Sequence, residues 1–396
     1  MPSPSADRQA SRYFRPVPRR AILRTGTIAA ASVLAGSALA EVPRTRDVPG
    51  SAVPSPIDSA PIDPDAPLPD RLAVVLDRAA ALDPLRAVAV AHRGERVAER
   101  GYNGGRSDRA QNIKSASKSV LSALIGIAIE RGAIPSVDAP VSTWLADRFA
   151  PDPDPRLNAI TVDHLLSMRA GLRSTSGGRY GAWVATDDWV REALAQPFVD
   201  EPGGRMIYST GSSHILSAVL AAATGRDPLD LANDWLGPAG VRVDWWERDN
   251  QGLPVGGNQM GMTTRSLLSF GELYRRGGTT ADGTRVVPAG WIERSWRPHA
   301  RSRWTGDGYG YAWFLRRIAG PDGTVHPVRF GWGYGGQMVF VVPSADLTVA
   351  ITSDATRPSA RNGYRNQLVG LFRAVLNETE REGIREGVRE GARGGA

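Results

Sequence analysis

Between Ser115 and Arg131 the apolar residues Val120, Leu121, Leu124, Ile125, Ile127 and Ile129 fall all round a helical axis instead of along one stripe, and Gly132 ends the pattern. Such a helix is stable only with apolar neighbours on every side, so the rest of the chain has to wrap it. The means are present, since 41% of the 396 residues are hydrophobic.

The flanking segments indicate what does the wrapping. Leu72 to Ala81 has helical apolar spacing. Arg86 to His92 and Glu95 to Tyr102 are strand-like runs around Arg93-Gly94, a two-residue hairpin turn. Helical stretches follow at Val162 to Met168, Asp188 to Ala195, Ser213 to Thr224, Pro228 to Trp235, Thr264 to Arg276 and Ala289 to Trp296. Strand character returns at Tyr311 to Leu315, His326 to Phe330, Gln337 to Val342 and Leu347 to Thr352, before a final helix from about Tyr364 to Leu376. A hairpin near the start and a meander near the end complete one antiparallel sheet if the helical middle is an insertion. This predicts an α+β fold, with residues 70–110 and 305–376 as the sheet-bearing part, 111–304 as the mainly helical part, and a cleft between them.

Both ends of the chain differ in composition. Arg19-Arg20 precede a short small and apolar run, Thr25 to Leu34, and an Ala38-Leu39-Ala40 cleavage pattern, so residues 1–40 read as a twin-arginine export signal and the protein as exported. The run is too short for a stable membrane anchor. Residues 41–69 are Pro-rich and predict an extended tether, whereas 377–396 repeat Arg-Glu-Gly and predict a solvated, frayed tail. Of the net charge of +7, residues 1–40 carry +5, which leaves +2 and no basic stripe for a nucleic-acid partner.

No cysteine is present, excluding disulfides and Cys-ligated metals, and the five histidines show no ligand spacing, so no metal or cofactor is implied. Gly331-x-Gly333-x-x-Gly336 matches a dinucleotide fingerprint but leads into a strand, not a helix whose amino terminus could hold a pyrophosphate. The lysines carry more information. The chain has 48 basic residues, and all but Lys114 and Lys118 are Arg. Lys118 lies three residues after Ser115, at the start of the buried helix, where i and i+3 side chains meet. A serine needs a nearby base to become a nucleophile, and burial lowers a lysine's pKa enough for that role, whereas Arg does not deprotonate. The alternative is a capping serine beside a solvated lysine.

Ser115-x-x-Lys118, within Lys114-Ser-Ala-Ser-Lys-Ser-Val-Leu-Ser-Ala-Leu-Ile-Gly, resembles the first active-site motif of the serine β-lactamase and penicillin-binding-protein superfamily. Ile160 to Met168 followed by Gly171-Leu172 looks like the family's next helix, Tyr208-Ser209-Thr210 stands at the place of its Tyr-x-Asn motif, and Gly333-Tyr334-Gly335-Gly336-Gln337 resembles its third motif. The resemblance implies a β-lactamase-like fold over residues 70–376. Carried over, Ser115 is the acylated nucleophile, Lys118 its proton acceptor, and Tyr208 a second acid/base whose phenolate a cationic lysine would favour. The backbone N–H groups of Ser115 and Gln337 would form the oxyanion hole, Thr210 and Tyr334 would contact substrate, and Gly335 and Gly336 would let an edge strand approach it.

Two departures bear on substrate. Tyr334 replaces the Lys or His of the third motif, and Thr210 replaces Asn. They point to the branch resembling class C-like esterases and 6-aminohexanoate-dimer hydrolases: an exported serine hydrolase that needs no cofactor and acts on a small ester or amide. A β-lactamase or D-alanyl-D-alanine carboxypeptidase is the enzymatic alternative, and a non-catalytic scaffold binding cell-wall peptides the alternative of another class. The aromatic segment Tyr180 to Trp189 suits either a flap over the cleft or a packed loop.

Overall fold

A computed structural model describes residues 62–359 and 363–394; the expected export signal and most of the expected tether lie outside the described residues. The strands, in chain order, are β1 (Leu85–His92), β2 (Glu95–Gly101), β3 (Gln111–Asn112), β4 (Trp245–Trp246), β5 (Met260–Met262), β6 (Ala300–Arg301), β7 (Gly308–Tyr309), β8 (Phe314–Ala319), β9 (Val325–Gly333), β10 (Gln337–Val342) and β11 (Leu347–Ser353). Eight of them form one antiparallel sheet in the order β2-β1-β11-β10-β9-β8-β7-β6. The amino-terminal hairpin turns through Arg93 and Gly94, with φ of 53° and 89°, and β1 then pairs with β11, for example Val88 with Ile351. The two ends of the chain thus complete one sheet around the inserted middle, as the pattern of runs predicts.

The central strands are buried on both faces, which is why they read as continuous apolar runs and not as an alternation. Val88, Val90, Met338, Phe340 and Ile351 pack under α1 (Leu68–Arg78) and the carboxy-terminal helix. Ala89, Ala91, Val339, Val341 and Ala350 face the inserted part. There α2 (Ser117–Glu130) is buried along almost its whole length, together with α3 (Thr210–Thr224) and α4 (Thr264–Arg275). Gly126 lets α2 approach the helix Ala289–Ser295, because a Cβ there would overlap the Trp291 ring.

Three local expectations are corrected. The run Tyr311 to Leu315 is not a strand as a unit: Ala312 takes φ 64° and β8 begins at Phe314, while Tyr311 and Trp313 are buried in the core. The middle also contains a small sheet, β3-β5-β4, whose two- and three-residue strands are too short to leave a periodic signal. The tail is no frayed end at its start, since α5 runs from Tyr364 to Gly394. Glu378 and Glu382, one turn apart, both meet the buried Arg71 of α1 at 3.0 and 2.8 Å, and tertiary pairing overrides the poor helix propensity of the interspersed glycines.

Candidate active site

The segment before the nucleophile is tied down by backbone geometry. Ile113 N–H donates to the Met260 carbonyl of β5 at 2.8 Å, and Lys114 adopts φ 49°, a strained value for a side-chain-bearing residue. A single 3-10 turn, Lys114–Ala116, then leads into α2. Ser115 therefore lies on this turn and not within the α-helix proper. Because i and i+3 side chains nearly eclipse in a 3-10 turn, the contact with Lys118 is kept. Lys118 Nζ lies 3.0 Å from Ser115 Oγ.

Lys118 is only 2% exposed. Its amine faces the Ser115 hydroxyl, Thr210 Oγ1 at 3.4 Å, the Gly257 carbonyl at 2.6 Å and the ring of Tyr208 at 5.1 Å, with no carboxylate among these groups. Burial alone pushes its pKa from 10.5 down to about 7. Around neutral pH a large share of the amine is uncharged, the state a proton acceptor requires.

Tyr208 reaches the same hydroxyl from the other side. The strand-like approach is held by Ile207 N–H on the Met168 carbonyl at 2.7 Å and by Ser174 Oγ on the Tyr208 carbonyl at 2.6 Å. Its phenol is hydrogen-bonded to Ser115, and burial outweighs that bond to push its pKa up to about 12. This corrects the expectation of a phenolate: the neighbouring lysine has lost much of its charge, the one bond from Ser115 does not offset burial, and Tyr208 is a neutral phenol able to give a proton.

Thr210 turns toward the lysine. It opens α3, is buried, and its hydroxyl sits 3.4 Å from Lys118 Nζ and 3.0 Å from Ser176 Oγ. It supports the lysine from behind. Thr175 and Ser176 cap the start of α3, with Ser176 Oγ accepting from Thr210 N at 2.8 Å and Thr175 Oγ1 from Gly211 N at 2.9 Å, while Ser174 holds the Tyr208 carbonyl. Sequence reasoning passed over this cluster; its one signal is a run of hydroxyl residues before Gly177-Gly178.

The third motif also divides differently from expectation. β10 is a central strand, not an edge. Gly335 and Gly336 take φ of 82° and 97° and lie against the Asp354 carbonyl and against Tyr364 and Leu368, so they serve the turn and the seating of α5. Gly331 and Gly333 make the close approach to the nucleophile's turn: a Cβ on Gly333 would run into the Ile113 carbonyl, and one on Gly331 would lie 3.1 Å from Ser119 Oγ. Gln337 is fully buried, its side chain bonded to the backbone of Ser353 at 2.8 and 3.0 Å. Tyr334 is 52% exposed at the tip of the turn, and Trp304, 64% exposed, meets the Tyr208 ring edge-on.

The loop Gly256–Gln259 was likewise missed, its one signal being consecutive glycines. It supplies the Gly257 carbonyl to Lys118, and Gln259 Oε1 accepts from Lys114 Nζ at 3.0 Å. The segment Tyr180 to Trp189 packs against the body of the protein, opening with a short helix, Tyr180–Val184: Trp183 is buried, Trp183 and Trp189 cover His214, and Tyr180 receives a hydrogen bond from Asn258. Among the described residues no cluster of His, Asp or Glu suits a metal ion, and no helix is long and apolar enough to cross a membrane.

A model of the Beta-lactamase family matches residues 80–374. The chain belongs to that family. No curated protein matches it by sequence. Among solved structures, a protein described as a 6-aminohexanoate-dimer hydrolase from Bacillus anthracis shares 17% identity, with TM-score 0.62 over 77% of this chain and 82% of that one. A class C beta lactamase from Rhodobacter sphaeroides shares 18%, with TM-score 0.58 over 78% and 99%. EstCE1, a hydrolase with promiscuous acyltransferase activity, shares 19%, with TM-score 0.58 over 77% and 98%. At these identities the likeness establishes the β-lactamase and penicillin-binding-protein fold. Together with the family match it places the chain in the serine hydrolase superfamily built on that fold.

Proposed function

We propose that the protein is an exported serine hydrolase that forms an acyl-enzyme on Ser115 and hydrolyses small esters or amides without a metal or cofactor. The observation that carries this reading is the Ser115 hydroxyl held between a buried amine whose pKa is pulled down to about 7 and a neutral phenol. The uncharged Lys118 takes the Ser115 proton as Oγ bonds to the substrate's carbonyl carbon. The resulting oxyanion would be met by the backbone N–H of Ser115 and one from the third-motif turn, for which Gln337 is our assignment. Collapse breaks the bond to the leaving oxygen or nitrogen, which receives the Tyr208 proton; Tyr208 regains one from the Lys118 ammonium. Water then attacks the acyl carbon, releasing the acid and restoring Ser115.

Two features favour esters and neutral amides over penicillin-type substrates. Tyr334 puts a neutral ring where a substrate carboxylate would need a cation, and the exposed Trp304 beside Tyr208 gives the leaving-group side an apolar wall. The names of two structural neighbours, a 6-aminohexanoate-dimer hydrolase and a hydrolase with promiscuous acyltransferase activity, are in keeping with this. The export reading rests on the twin arginines and the Ala-x-Ala pattern of the leader.

The test is the intact mass of the protein after incubation with a fluorophosphonate, beside Ser115→Ala. One adduct, absent from Ser115→Ala, is expected. No adduct on folded protein would favour a binding scaffold, and an adduct surviving in Ser115→Ala would mean another serine is the nucleophile.

A further inference from the structure

The mechanism above leaves unused a pair of buried ionisable side chains, His214 and Asp249, with His214 Nε2 2.9 Å from Asp249 Oδ2. His214 lies on α3 four residues after Thr210, on the helix face that addresses Lys118. Its other nitrogen, Nδ1, receives the Gly256 N–H at 3.2 Å. Since Nδ1 accepts, the ring proton sits on Nε2 and is donated to Asp249, which fixes one tautomer. Asp249 is itself fixed by N–H donors from Gln251 at 2.8 Å and Leu253 at 2.9 Å. Burial works to raise its pKa, but the hydrogen bonds from His214 and the backbone hold it below the ordinary carboxylate value. The carboxylate thus has every reason to stay charged and to keep the ring in place.

What this arrangement holds is short and close to the chemistry. The residue after Gly256 is Gly257, whose carbonyl accepts from Lys118 Nζ at 2.6 Å. Gly257 takes φ 71°, and a Cβ on it would lie 2.5 Å from Lys118 Cγ and 2.7 Å from Ser213 Cβ. A Cβ on Gly256 would run into the Ser213 carbonyl. The two glycines let the loop backbone lie directly on α3 and on the lysine stem, and the His214 bond pins the Val255–Gly256 peptide, two peptide units before the Gly257 carbonyl. Trp183 and Trp189 close the ring off from solvent.

We propose that His214 and Asp249 are positioning residues that anchor the Gly256-Gly257 segment by its Gly256 N–H and, through the Gly257 carbonyl that follows, aim the amine of Lys118 at Ser115. The proposal rests on the assignment of Ser115 and Lys118 above. Displacement of the Gly257 carbonyl by an ångström would turn the amine away from Oγ, a misplacement worth on the order of 100-fold in rate.

The experiment measures, on the full chain, the rate of fluorophosphonate acylation against pH for the unmutated protein, His214→Leu, His214→Asn and Asp249→Asn, each normalised to folded protein by near-UV circular dichroism. His214→Leu is expected to acylate about 100-fold more slowly, with the acid limb of its profile displaced. His214→Asn, whose Oδ1 can replace Nδ1 as acceptor for Gly256, recovers most of the rate. Asp249→Asn, the variant to read should His214→Leu not fold, slows acylation while leaving ester KM near that of the unmutated protein. An unchanged rate per folded molecule in His214→Leu or Asp249→Asn overturns the proposal, as does a slower rate that keeps the same pH limb and is not recovered by His214→Asn. If the unmutated protein itself takes no adduct, the reading of Ser115 and Lys118 has failed instead.

Discussion

Lys118→Met should make this protein more stable at neutral pH while abolishing turnover. In the native state burial pulls the amine down to about 7, whereas in the unfolded chain it titrates near its ordinary value, 10.5. Between those two values the unfolded chain binds a proton that the native state does not, so native stability rises with pH, by about 1.4 kcal/mol per unit. The full deficit, about 5 kcal/mol, is present below about pH 7 and vanishes above about 10.4. Methionine fills nearly the same volume without the charge, but it orphans the buried Gly257 carbonyl at a cost of about 1 to 3 kcal/mol. The variant is therefore expected to be about 2 to 4 kcal/mol more stable at pH 7 and to lose that advantage steadily toward pH 10. Urea unfolding of both proteins at half-unit pH intervals reads this directly, because every other titrating group cancels in the difference. A variant less stable at pH 7, with a difference that does not change with pH, would mean that Lys118 is charged and stabilised in the native state. The lysine could not then act as the base.

The same titration predicts an ester kcat/KM that rises through about pH 7, and Lys118→Arg, always charged, should lose orders of magnitude with no such limb; comparable activity in that variant would sink the lysine's role. Gly333→Ala, whose Cβ would press on the Ile113 carbonyl next to the nucleophile's turn, should lower kcat at least tenfold for a modest loss in urea midpoint, and the reverse pattern would refute the assignment. Arg71→Ala leaves the buried Glu378 with the Arg381 guanidinium as its remaining partner and should cost about 3 kcal/mol in urea unfolding with kcat untouched. A chromogenic cephalosporin should turn over more slowly than a simple aryl ester, since Tyr334 offers no cation to a carboxylate; faster turnover would select the β-lactamase alternative.

What could be read in advance was local. Ser115 and Lys118 are three residues apart, and their meeting follows from helical geometry whatever surrounds them. The amino-terminal hairpin and the closing meander could be read from runs of strand-forming residues and a two-residue turn. The rest depended on contacts that residue identity does not announce. Gly257 is 139 positions from Lys118 and binds it through a backbone carbonyl, which any residue possesses. In the third motif the sequence presents four glycines within six residues, and only the strand order shows that Gly331 and Gly333 face the nucleophile's turn while Gly335 faces the Asp354 carbonyl and Gly336 faces α5. The Arg-Glu-Gly repeat looks frayed from propensity alone and is held because Arg71, some 300 positions earlier, needs two carboxylates one turn apart.

The phenolate expected at Tyr208 failed for a related reason. It assumed a charged lysine beside the ring, yet the burial that makes Lys118 a base also removes the charge that would have stabilised the anion. Base and acid are therefore set by one physical condition, exclusion of water from both groups, and a change that admits water beside Lys118 should spoil both at once.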